Sequence, residues 1–251
     1  GTFSAHLSAE PGADWESISR SFVEGLGLEW NPLTTQIESH DGMSSLFQSV
    51  SHVNRVLHNL CTDVWTYISL GYLTQIPEPG ATGSSTMPHK INPIRFENAE
   101  ANLEISSALL DSLAATLVTS RLQRDLTDST TQRNIGVALG HSLVALANLA
   151  KGLNEIDLNP ETLGADLAAN QEVLAEAIQT VIRAEIARGN SSISDPYAVV
   201  KELTRGRKVN QEPLGEFIQG LDISDQAKSH LASLTPEKYT GLASKLVDYL
   251  D

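Results

Sequence analysis

The sequence predicts an all-α protein: part of a long-helix bundle over residues 1–153, followed by a smaller all-helical domain over 154–251. Three observations predict this. Leu and Ala dominate while aromatic residues make up only 5% of the chain, a balance that favours helix over sheet. Apolar residues at Leu46, Val50, Val53, Leu57, Leu60, Val64 and Tyr67 step by alternating fours and threes, the repeat of a long bundle helix. No stretch reads as a convincing strand, and there is no internal repeat or low-complexity tract.

The elements follow in order. A first helix is expected from about Trp15 to Leu26, ended by Gly25 and Gly27. Asp41 is placed to cap the long helix that carries the apolar repeat, and Pro77, Pro79 and Gly80 close that segment. Asn92-Pro93 reads as an N-cap with proline at the first helical position, opening a helix from about Pro93 to about Thr119 with Leu103, Leu110, Leu113 and Leu117 on its apolar face. Ser129-Thr130-Thr131-Gln132 matches a capping box and opens a helix to about Leu153, with Val137, Val144 and Leu149 among its apolar positions. Three such helices pack naturally as a bundle. Asn159-Pro160 marks a break, and a domain boundary is expected near residue 153. A helix from about Pro160 to Ile186, a turn-rich stretch from Arg188 to Pro196 and several short helices complete the chain.

The most informative segment is Gly83-Ser84-Ser85-Thr86-Met87-Pro88-His89-Lys90-Ile91-Asn92-Pro93. An irregular stretch between rigid helices is more often functional than a packing device. Lys90 brings a full positive charge to a helix start, so the loop suits an anion, above all a carboxylate. A serine hydroxyl becomes a useful base only where amides or a cation stabilise its alkoxide, or a neighbour takes its proton. Gly83 lets the backbone turn tightly beside Ser84 and Ser85. The bland reading is a solvated loop with a helix cap.

A second anion site is legible around Ser129. A purely structural cap explains Ser129 and Gln132, yet Arg124 and Arg133 stand on either side, and a hydroxyl with two guanidinium groups makes a phosphate or carboxylate cradle. A capping hydroxyl accepts one bond and can donate another, so both readings hold together.

GSSTMPHKINP resembles the signature loop of the fumarase/aspartase superfamily of β-elimination lyases, matching G-S-S-x-M-P-x-K-x-N-P. The stretches Trp30–Asp41, Met87–Glu100, Ser120–Asn134 and Lys201–Val209 are similar to the adenylosuccinate lyase family, closest to its bacterial form. The resemblance covers nearly the whole chain. It implies elimination of fumarate from adenylosuccinate, giving AMP, and from the succinylated carboxamide ribotide of purine synthesis, giving AICAR, with no cofactor. It implies Ser84 as base, Lys90 and the loop amides as stabilisers of the developing charge, and Asn92 as a shaper of the loop. It also implies substrate contacts from Gln36, Ser85, Met87, Asn98, Arg124, Ser129 and Arg133, and a homotetramer built on a multi-helix core. His89 sits inside the signature, at a position that varies among related enzymes, and is not expected to be the general acid.

Members of the family take that acid from a histidine in a T-x-H-G-Q motif. This chain contains no such motif, so it looks like the carboxyl-terminal part of a longer enzyme, inactive by itself. Two rival readings are another fumarate-releasing lyase, such as argininosuccinate lyase, and a non-catalytic helical oligomerisation fragment. The phosphate cradle argues against the first, because an amino-acid substrate would not need it.

Composition bounds partners. A formal net charge of −14 argues against nucleic acid or anionic membrane as a general partner. No uninterrupted apolar run reads as a membrane span and nothing resembles a signal peptide. The one cysteine, Cys61, excludes an intramolecular disulfide and suits the cytoplasm, and it reads as a small apolar filler. The histidines show no metal-ligand spacing; His52 and His58 stand off the i, i+4 register.

Overall fold

The computed structural model describes residues 1–76, 92–204 and 211–250. It divides into two compact units, Gly1–Asp157 and Leu158–Asp251.

In the first unit, α1 spans Ser4–Ala9 and α2 spans Trp15–Gly25. The Asp14 carboxylate caps α2 by accepting from Ser17 N–H at 3.0 Å, and Gly27 follows at φ +76°. Then come α3 (Asp41–Ser69), β1 (Leu73–Gln75), α4 (Ile94–Leu117), α5 (Thr127–Gln132), α6 (Ile135–Asn154) and β2 (Ile156–Leu158). The strands pair in antiparallel order, with Ile76 N–H donating to Glu155 C=O and the Thr74 hydroxyl to Asp157 C=O. Strands this short carry too few alternating positions to register in sequence, which is why none was expected.

The bundle is α3, α4 and α6, with α4 in the middle. Its residues Phe96, Ala99, Leu103, Leu110, Leu113 and Leu117 are buried, on steps of three and four. The upper core joins Cys61 and Val64 of α3 to Phe96, Ala99 and Leu103, and to Ala145 and Leu149 of α6. The lower core joins Phe47 to Leu110, Leu113, Ala114, Leu117 and Ala138. Each fully buried Leu or Phe contributes about 1.5–3 kcal/mol by leaving water. Between the two cores lies a polar cluster of Asn54, Ser106 and Ser142.

Several expectations need correction. The inner face of α3 is Phe47, Ser51, Asn54, Cys61 and Val64. Of the apolar repeat, Leu46, Val53, Leu60 and Tyr67 face outward, with Val53 53% exposed. On α6, Val137 and Val144 face outward while Ala138, Ser142, Ala145, Leu149 and Gly152 face in. Small side chains there let α6 approach α4 closely: a Cβ on Gly152 would fall 2.9 Å from both Arg95 Cβ and Phe96 Cζ.

Caps also differ. His40, not Asp41, is the N-cap of α3, and Asp41 is its first helical residue. Pro93 occupies the cap position of α4, with no side-chain cap from Asn92. Ser129 lies inside α5, whose N-cap is Leu126, so the capping box does not form. Asp125 instead accepts from Thr127 N–H at 2.9 Å. The helix expected from Ser129 to Leu153 is interrupted at Arg133-Asn134. By length and composition, Thr127–Asn154 is apolar enough to cross a membrane, with a mean hydropathy of 1.3, although the sequence reading found no such run. Its inner face packs on α4.

Cys61 is fully buried, and burial first, then the nearby Glu100 charge, pushes its thiol up to about 11.

In the second unit, α7 (Pro160–Ala169) is capped by the Asn159 side chain accepting from Thr162 N–H at 3.2 Å. The continuous helix expected to Ile186 instead turns at Asn170, passes through a 3-10 turn (Gln171–Leu174) and resumes as α8 (Ala175–Ala187). Then follow α9 (Pro196–Thr204), α10 (Gln211–Gly220), α11 (Asp225–Ala232) and α12 (Ala243–Leu246). Leu174, Ile178, Ile182, Val200, Leu214, Ile218 and Leu231 form the core. Glu185 is buried at its edge, accepting from Ser224 N–H at 3.2 Å and Arg188 at 2.9 Å, with Asn190 at 3.4 Å.

Candidate active site

Four of the expected site residues, Ser84, Ser85, Met87 and Lys90, lie outside the described residues. The others fall into two groups at opposite ends of the bundle.

At one end, α4 begins. Asn92 is exposed, and its carbonyl accepts from Ile94 N–H at 2.8 Å. Asn98 is exposed one turn further on. Its Oδ1 accepts from Asn102 Nδ2 at 3.1 Å, and Asn102 Oδ1 in turn lies 2.7 Å from His141 Nδ1 on α6. With His141 donating, this relay occupies the Asn98 oxygen, and the Asn98 amide N–H groups have no partner among the described residues.

At the other end, the Gln36 segment meets the stretch leading into α5. Gln36 N–H donates to Gln123 C=O at 3.3 Å, and the side chain of Gln132 contacts His40 at 2.9 Å. The Arg124 guanidinium contacts Asp128 Oδ2 at 3.4 Å. Asp128 is buried, and neither its Oδ1 nor Arg124 Nε has a hydrogen-bond partner among the described residues. Buried polar atoms are nearly always paired, so two orphans on one contact mark a place built for more than packing. Ser129 is half-buried and Arg133 exposed. Asp125 is held below the usual carboxylate range, chiefly by the Thr127 N–H, then by the Thr127 hydroxyl and Arg121. Leu122 in the same stretch takes a left-handed backbone, φ +54°.

The structure therefore brings Gln36, Arg124, Ser129 and Arg133 to one end, and Asn92 and Asn98 to the other. At the α-helical rise of ~1.5 Å per residue, Asn98 stands about 28 Å from the Leu117 end of α4. One copy of this chain does not gather both groups around one ligand. Because α5 is a single short turn, its amino terminus is a weaker anion site than a long helix would offer. A phosphate cradle at this end would rest on the two arginines instead.

Sequence reading missed His40, Asp128, Asn102 and His141. Asn98 and Asn102 stand four apart on one helix face, a spacing that could have suggested their pairing. Arg124 and Asp128 stand four apart as well, whereas the contacts of His40 with Gln132 and of Asn102 with His141 join residues distant in sequence.

Comparison with known proteins agrees with this architecture. A family model described as "Adenylosuccinate lyase C-terminal" matches residues 120–240, and one described as "Lyase" matches residues 3–105. The chain is 47% identical over its whole length to an adenylosuccinate lyase of Vibrio cholerae serotype O1, covering 54% of that relative. It is 46% identical to that of Escherichia coli strain K12, again covering 54%. With that of Legionella pneumophila strain Corby it shares 49% identity over 98% of the chain and 53% of the relative. The chain thus spans about half the length of the curated relatives it matches. Among solved structures, a 3-carboxy-cis,cis-muconate lactonizing enzyme from Pseudomonas putida shares the fold, with a TM-score of 0.64 at 19% identity over 96% of this chain and 54% of that one. The fold is that of all-helical lyases. Within that class, the chain belongs to the adenylosuccinate lyase family.

Proposed function

We propose that the protein carrying this chain is a carbon–nitrogen lyase that releases fumarate from adenylosuccinate, and from the succinylated carboxamide ribotide, without a cofactor. The supporting observation is the coincidence of GSSTMPHKINP with similarity along the whole chain to adenylosuccinate lyases. In this reading the Ser84 alkoxide removes the proton on the carbon beside a carboxylate. Lys90 and the loop amides stabilise the charge that builds on that carboxylate. Asn92 shapes the loop, and Ser85, Met87, Gln36 and Asn98 contact substrate. Arg124, Ser129 and Arg133 hold the phosphate. A separate acid protonates the leaving nitrogen. That acid is not supplied by a T-x-H-G-Q motif of this chain, so the chain alone is inactive.

The working unit in this reading is a homotetramer in the cytoplasm. Two observations support the assembly. Leu46, Val53, Val56 and Leu60 make an outward apolar stripe along α3. The two groups of site residues also stand at opposite bundle ends, so copies packed side by side in opposite sense would complete one site. The lone buried thiol fits a reducing compartment.

The test is Ser84→Ala in the protein carrying this chain. Fumarate release, followed by absorbance, should fall about 10²–10⁴-fold while AMP binding persists; near-normal turnover rejects Ser84 as the base. Arg133→Ala should raise KM through the phosphate, and an unchanged KM rejects the cradle.

A further inference from the structure

Among the described residues only Phe3, His40 and Leu122 combine a side chain with a left-handed backbone, and His40 alone of these is buried, at 7% exposure. Its φ is +59°. A residue with a Cβ adopts this conformation at a free-energy cost, and it persists where the surroundings over-determine it. Two hydrogen-bonded contacts do so here, with the Glu38 carboxylate alongside. The His40 carbonyl accepts from Ser44 N–H at 2.9 Å, fixing the start of α3. The imidazole Nε2 lies 2.9 Å from Gln132 Nε2. Glu38 Oε2 stands 3.6 Å from the same nitrogen. With the Gln132 amide donating, His40 accepts at Nε2 and carries its proton on Nδ1.

The position of this contact gives it a role. Gln132 is the last residue of α5 and immediately precedes Arg133. On the other side, His40 closes the segment whose Gln36 N–H is tied to Gln123. The His40–Gln132 contact therefore joins the segment carrying Gln36 to the helix carrying Ser129 and Arg133. Ordinary capping does not account for it: the imidazole makes no cap bond to α3, and Gln132 makes none to α5.

We propose that His40 is a positioning residue: through Gln132 it holds Arg133 in register with Gln36, so that the nucleotide phosphate and the rest of the substrate are bound by one rigid assembly. This deepens the cradle reading of Arg124, Ser129 and Arg133 and rests on it. His40 does not touch substrate. Its loss frees α5 to shift, which weakens phosphate binding more than it slows chemistry.

The experiment uses the protein that carries this chain, with AMP and adenosine as calorimetric probes and steady-state kinetics beside them. Gln132→Leu and His40→Ala should each weaken AMP binding and raise KM about ten-fold, with kcat within two-fold and adenosine binding unmoved. The double variant should be no worse than either single one, because the two side chains act as a pair. Multiplying effects, or equal losses for AMP and adenosine, overturn the proposal. If His40→Ala does not fold, Gln132→Leu decides by itself: unchanged AMP affinity overturns the proposal. Arg133→Ala separates the two levels. If it weakens AMP binding while Gln132→Leu does not, only the positioning role fails; if Arg133→Ala leaves AMP untouched, the cradle fails and the positioning role with it.

Discussion

Asn54 and Ser142 exchange hydrogen bonds across the centre of the bundle: Asn54 Nδ2 reaches Ser142 Oγ at 2.9 Å, and Asn54 Oδ1 lies 3.1 Å from the same hydroxyl. Asn54 Nδ2 also donates to Ser106 Oγ at 3.0 Å, and the Ser106 hydroxyl donates to Ala138 C=O at 2.8 Å. One amide thus ties α3 to α4 and α6. Ser106 and Ser142 keep their mutual bond at 2.7 Å without it, but each loses its bond to the amide and a cavity opens, so Asn54→Ala should destabilise the chain by about 1–3 kcal/mol. Urea unfolding checks this; a loss within experimental scatter would mean that the cluster contributes nothing.

Gly152 sits where α6 meets the start of α4. A Cβ there would press on Arg95 and on the Phe96 ring, neither a loose chain end. Gly152→Ala gains helix propensity but overpacks, and the net effect should be a destabilisation of about 1–3 kcal/mol. A melting temperature equal to or above that of the parent would show that the contact relaxes freely.

Glu185 predicts a pH dependence in the second unit. Hydrogen bonds from Ser224, and then Arg188 and Asn190, outweigh burial and bring its carboxyl from 4.5 down to about 2. A carboxylate with a depressed folded-state pKa stabilises fully above its unfolded value and loses that contribution as pH falls through the folded one. The thermal stability of Glu185→Gln should therefore lie below that of the parent at pH 7. The gap should close between about pH 4.5 and pH 2. A gap that stays constant over that window contradicts the role.

The outward stripe on α3 makes a prediction about assembly. Val53 is half-exposed in one copy, and burial between copies would make a charge there intolerable. If the proposed homotetramer uses this stripe, Val53→Glu should shift the sedimenting species of the protein carrying this chain to smaller forms. An unchanged tetramer would move the interface elsewhere.

Helix type was legible in the sequence, and helix faces only in part, for one physical reason. A periodicity search gives most weight to large apolar residues. On α3 the repeat mixes Val64, on the inner face, and Val50 and Leu57, packed at its edge, with Leu46, Val53, Leu60 and Tyr67, which point outward. On α6 the inner face is small, because the helices approach closely there, and its Ala, Ser and Gly residues carry little hydrophobic signal. α4 was read correctly at Leu103, Leu110, Leu113 and Leu117, because it is the central helix and its large residues do point inward. The caps failed in a related way. Ser129 and Gln132 satisfy a local motif, but the interaction that wins is the long-range contact of Gln132 with His40. Of the candidate site, Gln36, Arg124, Ser129 and Arg133 were expected from local chemistry and resemblance, and the structure places them at one end of the bundle. The contacts of Asn102 with His141 and of Gln132 with His40 were not, since a single sequence carries no record of which distant side chains meet; Asp128 and Asn102, each four residues from its partner, were open to a helical-spacing argument.

Cys61 gives the bundle a natural timekeeper. Its sulfur is sealed between α3 and its neighbours and stays protonated at neutral pH, so a thiol-specific reagent reacts only during excursions that part the helices. The labelling rate of this single atom then reports how often the interior is laid open, without any added probe.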